Sequence, residues 1–283
     1  MKRLVLLIVV TLLFAGCGSR SGIVPIPDTS PDTSGGSGGN SNDTPPPSEP
    51  TATPGEAQGV YSLVYEDIDL TSYAIVLPND MYYEIEARTG EDGSVAEVWV
   101  LRVGQGRSAS GLYTANLTHF FEGELMGMSL SAHYVPLTSL SGSIQFRSTG
   151  ATHAFAATAL QSSSIDFNVP ANLSQIAGTW QAWGQCDVLT GGAEGGCDPY
   201  TLEINEEGEL TIAGHDCAYA TLTPNTSHNY FEVTVPVGEG ACNSGTTAGS
   251  GAAIEMLLPS GSKRQLLLGG VIDNRPILVV AQR

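Results

Sequence analysis

Five cysteines carry most of the reactive chemistry in this chain: Cys17, Cys186, Cys197, Cys217 and Cys242. Four of them fall in the second half, and none shares the C-x-x-C spacing that thiolate metal sites use, so paired oxidation is their expected chemistry and no metal is expected. Of the three possible connectivities, the expected bridges are Cys186–Cys197, closing a Gly-rich loop, and Cys217–Cys242, tying neighbouring strands. The histidines His119, His133, His153, His215 and His228 are scattered, with neither H-x-H nor H-E-x-x-H spacing. His215-Asp216-Cys217 reads as a polar turn, and Glu66, Asp67 and Asp69 read as a solvated strand end lacking the spaced ligands of a calcium loop. No G-x-S-x-G lies between a strand and a helix as a serine nucleophile elbow requires, the match at residues 35–39 falling in the Gly/Ser-rich tether, and Gly249-Ser250-Gly251 reads as a loop. The sequence also lacks a phosphate-binding loop, a dinucleotide fingerprint and paired carboxylates in a recognisable cleft. No catalytic residue and no cofactor are therefore assigned.

The remaining cysteine has a different setting. Met1, Lys2 and Arg3 precede an apolar run from Leu4 to Ala15, too short to cross a bilayer as a helix, which is the pattern of an export signal. The run ends in Phe14-Ala15-Gly16-Cys17, which resembles the lipobox of bacterial lipoproteins, with Phe14 in place of the more usual Leu. That resemblance implies removal of residues 1–16, acylation of Cys17 and, with Gly18 rather than Asp next, sorting to the outer membrane. Each buried acyl CH₂ would contribute about 0.8 kcal/mol, so several chains make an effectively permanent anchor.

Residues 17–58 are expected to form a disordered tether. Of the 41 residues from Gly18 to Gln58, 27 are Pro, Gly, Ser or Thr, a composition with too little apolar surface to drive folding. As a flexible coil it would hold the folded domains about 35 Å from the lipid.

From Gly59 onward the pattern has period two, and two all-β domains are expected over 59–170 and 171–283. Tyr73–Leu77 and Met81–Ala87 flank Pro78-Asn79-Asp80 as a hairpin. On the second of these strands Met81, Tyr83, Ile85 and Ala87 share one face, while Tyr82, Glu84 and Glu86 share the other. A strand over Val95–Val103 is expected to end in a Gly-rich bend at 104–110. Met126, Met128, Leu130, Ala132 and Tyr134 alternate with small polar residues. Asn172 caps a single helical turn, Leu173–Ala177, closed by Gly178. Short strands and tight turns in units of about 110 residues predict small antiparallel barrels or sandwiches.

The opening Gly178-Thr179-Trp180 after a helical turn, the strand meander and a last strand ending in Arg283 resemble the lipocalin-type small barrels of bacterial lipoproteins. The resemblance implies that Trp180 packs beneath Arg283 and closes a barrel end, with Tyr61 and Arg147 as the matching pair in the first domain.

Composition narrows the partners. Eleven Lys and Arg face 29 Asp and Glu, a net charge of −18, so nucleic acid and anionic bilayers would be repelled. The expected function is that of a lipid-anchored envelope protein acting by binding rather than catalysis, its partner an envelope or extracellular protein. The alternatives are a carrier of a small apolar ligand and an envelope hydrolase.

Overall fold

The computed structural model describes residues 55–66, 71–89, 95–121, 124–160, 165–184, 199–214, 217, 219–237, 248–258 and 263–283. Two closed barrels account for nearly all of them. The first is built from β1 (Gly59–Tyr65), β2 (Thr71–Val76), β3 (Met81–Thr89), β4 (Val95–Ala109), β5 (Leu112–Phe121), β6 (Glu124–Val135), β7 (Ser139–Phe146) and β8 (Thr152–Ala159). Each strand pairs antiparallel with the next, and β1 closes on β8 from Tyr61↔Ala159 to Tyr65↔Phe155. The second repeats this meander with β9 (Gly178–Gly184), β10 (Tyr200–Ile204), β11 (Glu209–Ile212), β12 (Ala220–Pro224), β13 (Phe231–Val235), β14 (Gly249–Leu257), β15 (Arg264–Ile272) and β16 (Arg275–Gln282), closed by β16 on β9. Closure removes the free strand edges that a sandwich would expose.

The turns follow from local chemistry. Ser110-Gly111 and Asp273-Asn274 both have positive φ at each residue, the primed two-residue geometry that matches strand twist, and they join β4 to β5 and β15 to β16. The expected bend at 104–110 is instead continuous β4. Gly104 and Gly106 are there for room: a β-carbon would lie 1.9 Å from the Asn116 carbonyl oxygen in one case and 2.2 Å from the Tyr113 hydroxyl in the other. Gly249-Ser250-Gly251 likewise opens β14 rather than forming a loop, because Gly251 lets the Gly269 carbonyl come within 2.3 Å of where a β-carbon would be. The helical turn α1 (Leu173–Ile176) forms as expected, its Asn172 cap accepting from the Ser174 amide at 3.0 Å.

Three apolar cores result. Trp180, Leu202, Leu210, Phe231, Val233, Leu266, Leu268 and Val279 fill the second barrel. Tyr61, Leu63, Tyr113, Leu117, Met128, Leu130, Leu140 and Phe155 line the first. The third lies between them: Tyr73, Ile75, Tyr83, Ile85, Leu101 and Val103 of β2, β3 and β4 pack on Ala252, Ile254, Met256, Leu267, Leu278 and Val280 of β14, β15 and β16. On β2 to β4 the apolar face therefore looks outward onto the other barrel. Its alternate face, Ser72, Tyr82, Glu84, Glu86 and Arg102, is consigned to the barrel interior and is buried there.

One end of the first barrel is sealed. Residues 55–58, expected in the tether, form a turn laid across it: the Gly55 amide donates to Asp80 Oδ1 at 3.3 Å, the Ala57 amide to Ser108 Oγ at 3.3 Å, and the Tyr61 hydroxyl to the Ala57 carbonyl at 2.8 Å. Tyr113 adds a hydrogen bond to the Asp80 carbonyl at 2.8 Å. Asp80 itself, with φ +62 at the hairpin, accepts from the amide and hydroxyl of Ser108.

Candidate functional site inside the first barrel

Strand register builds a polar belt toward the opposite end. Ala74, Glu84, Arg102, His119 and Met126 are successive cross-strand partners on β2 to β6, so one carboxylate, one guanidinium and one imidazole come into line. Ser72 and Glu86 form the next register pair along. From the other side of the barrel Tyr65 of β1, Met128 of β6, Ile144 and Phe146 of β7 and His153 of β8 close in.

Glu84 is completely buried and accepts three hydrogen bonds, from Tyr65 Oη at 2.5 Å, Tyr82 Oη at 2.7 Å and Arg102 Nη1 at 2.6 Å. The same Nη1 reaches Glu86 Oε1 at 2.5 Å, and Tyr65 Oη at 3.4 Å. Two acids thus share one cation in a nearly dry site. Burial pushes the Glu86 carboxyl up, with Arg102 opposing and Glu84 adding to the rise. Burial also opposes the Arg102 charge, but Glu84, Tyr65 and Glu86 outweigh it and hold the guanidinium protonated. Burial, helped by the neighbouring Arg102 charge, lowers His119 to about 4, which keeps its imidazole neutral. Its ring stacks on Phe121 and meets Phe146 edge-on, and Phe146 meets His153 edge-on in turn.

Hydrogen-bonding capacity is left over. Ser72 Oγ, Arg102 Nε and His119 Nδ1 are buried without a partner, an arrangement that costs stability unless a ligand or water completes it. A half-enclosed cavity of about 40 Å³ lies alongside, lined by Tyr65, Arg102, Met128, Ile144, Phe146 and His153. It has room for about three water-sized groups.

The residues singled out by sequence are distributed differently. Cys17, Cys186, Cys197 and Cys242 lie outside the described residues, as do His215, Asp216, Asp67 and Asp69. Cys217 is disulfide-bonded. Trp180 and Arg283 are brought together, the guanidinium carbon 4.3 Å from the ring centroid. Trp180 Nε1 donates to the Ile176 carbonyl at 2.7 Å, and Arg283 Nη1 to the Ala177 carbonyl at 2.7 Å, so the pair ties α1 across the end of the second barrel. Tyr61 and Arg147 do not form a matching pair. Tyr61 lies at the sealed end opposite Ala159, whereas Arg147 follows β7 out at the Tyr65 end, exposed and bonded to Asn116.

Glu84, Glu86 and Arg102 were not among the candidates. Their signal was present, since alternation put both acids on one strand face, but nothing in the pattern indicated that this face was the inner one. Among the described residues no group of three or more His, Cys, Asp or Glu is disposed to hold a metal ion. Comparison with protein-family models, with curated proteins and with solved structures finds no match for this chain.

Proposed function

We propose that this chain is a binding protein of the cell envelope, moored to the outer membrane by acyl chains on Cys17 and admitting a small ligand to a cavity in its first barrel, without catalysing a reaction. The observation that carries this reading is the buried, unpartnered Nε of Arg102, a residue that lines a cavity there, with Ser72 Oγ and His119 Nδ1 also buried and unpartnered in the same barrel. Binding is favoured over turnover because the acids are already engaged. Glu84 holds three donors, and no hydrogen bond links Ser72 Oγ to a base, so the nucleophile–base contact that acyl transfer requires is not made. The pocket is also small, about 40 Å³, which argues against a carrier of a bulky apolar molecule. The second barrel, packed with Trp180, Tyr219 and Phe231, serves as the buttress for the first. The pairings Cys186–Cys197 and Cys217–Cys242 would brace the connections of that second barrel, each contributing about 2–4 kcal/mol.

Native mass spectrometry of the protein purified from its own membranes tests the reading. A releasable mass above that of the acylated chain is expected, and the bare acylated mass would refute ligand carriage. Cys17→Ser is expected to abolish labelling by a palmitate analogue, and persistent labelling would refute the anchor.

A further inference from the structure

The cavity also has a chemical preference. Arg102 Nε–H is a donor and nothing else, and its residue is only 5% exposed, so whatever meets it must bring an acceptor. The three apolar walls, Met128, Ile144 and Phe146, require carbon next to that acceptor. The charge balance selects its type. Arg102 already faces both Glu84 and Glu86 at 2.6 and 2.5 Å, and the His153 imidazole, which lines the same cavity, also acts on Glu86, so an arriving anion would meet two acids whose counter-charges are already engaged, and an arriving cation would meet the guanidinium itself. His119 adds no charge of its own, being held neutral by its burial.

Building on the binding function proposed above, we infer that the cavity in the first barrel recognises an uncharged carbonyl group, of the amide or ketone class, carried on a short apolar stem, with Arg102 Nε as the donor and Phe146, Met128 and Ile144 around the stem. About three water-sized groups fit the enclosed part, which matches a carbonyl and one attached carbon. A fragment of this size should bind in roughly the millimolar range.

The experiment is a ¹H–¹⁵N titration of the acylated or Cys17→Ser full chain, following the Arg102 Nε–H resonance, with N-methylacetamide, acetate and methylammonium as probes. N-methylacetamide is expected to move that resonance saturably, with the two ions leaving it in place at equal concentration. Saturation by acetate or by methylammonium would overturn the charge argument, and no saturation by the amide up to about 200 mM would overturn the assignment, leaving a cavity for water. Arg102→Lys removes Nε, and the saturable amide-induced shifts at the backbone N–H groups of the lining residues Met128, Ile144 and Phe146 should then be lost. Because that change also disturbs a buried cluster, Ile144→Phe serves as the second variant: it fills the cavity without touching the ions and should weaken binding at least tenfold, whereas unchanged binding in a folded Ile144→Phe protein would place the amide elsewhere. A membrane-purified protein carrying no ligand that still saturates with the amide keeps this assignment and loses the carrier reading. A protein that carries a native ligand but ignores the amide keeps binding and loses this ligand class.

Discussion

Gly269 of the second barrel faces Leu101 of the first so closely that a β-carbon on the glycine would lie 3.1 Å from Leu101 Cδ1, with Ile85 and Tyr83 next at 3.5 Å. The two barrels therefore meet backbone against side chain, and the glycine makes room for the contact. Gly269→Ala should cost no more than about 1 kcal/mol, since the far end of Leu101 can shift. Gly269→Leu should cost about 1–3 kcal/mol by overpacking and should separate the unfolding of the two barrels. Urea denaturation followed by barrel-specific probes checks this: a single unchanged transition in Gly269→Leu would mean that the interface does not couple them.

Arg102 is ion-paired with both Glu84 and Glu86, and removing it leaves two buried carboxylates without that shared guanidinium. Arg102→Met should destabilise the protein by about 3–5 kcal/mol at pH 7. Replacing all three together, Arg102→Met with Glu84→Gln and Glu86→Gln, should recover much of that loss because the unpaired charge is gone. Chemical denaturation of the single and triple variants measures both; an equal loss in the two would show that packing, not charge, dominates.

His119 sets an acid limit. Its pKa of about 4 in the folded chain lies below the ordinary 6.5, so between these values the unfolded chain binds more protons and stability falls as the pH falls. The loss is complete near pH 4 and amounts to about 3 kcal/mol at most. Glu86, with its carboxyl pushed up by burial, works the opposite way: its contribution is present below the usual carboxyl pKa and is lost as the pH rises through the folded value. His119→Phe should therefore flatten the decline from pH 6.5 to 4, and Glu86→Gln should steepen it. Thermal melts across that range distinguish them, and an unchanged profile in His119→Phe would show that the imidazole is not held neutral.

Trp180 and Arg283 should matter for stability alone. The cation–π contact contributes about 0.5–2 kcal/mol, and Arg283 also donates to the carbonyls of Ala177 and Gln175. Arg283→Ala is expected to lower the melting temperature of the second barrel by several degrees while leaving the N-methylacetamide response of the first intact. A lost amide response would reveal coupling between the barrels that the contact at Gly269 alone does not explain.

Much of this was legible in the chain. Period-two alternation announced the strands and Asn172 and Gly178 bracketed α1, while the meander of short strands left barrel and sandwich both open until the closing pairs β1–β8 and β9–β16 decided for the barrel. Gly104 and Gly106 misled, because a glycine required by a neighbouring strand looks the same in sequence as one that makes a bend. Only Asn116 and Tyr113, aligned by the β4–β5 register, distinguish them.

The candidate site was the least legible part for a related reason. By itself the sequence determined strand periodicity, turn chemistry, the net negative charge and the sorting of side chains into two faces, since each depends on residues adjacent along the chain. Which face of β3 turned inward was decided only when the second barrel offered an apolar surface to Tyr83 and Ile85. Covering those side chains drives Glu84 and Glu86 into the interior of their own barrel, where the register with β4 supplies Arg102, and that balance between two surfaces exists nowhere along a single strand.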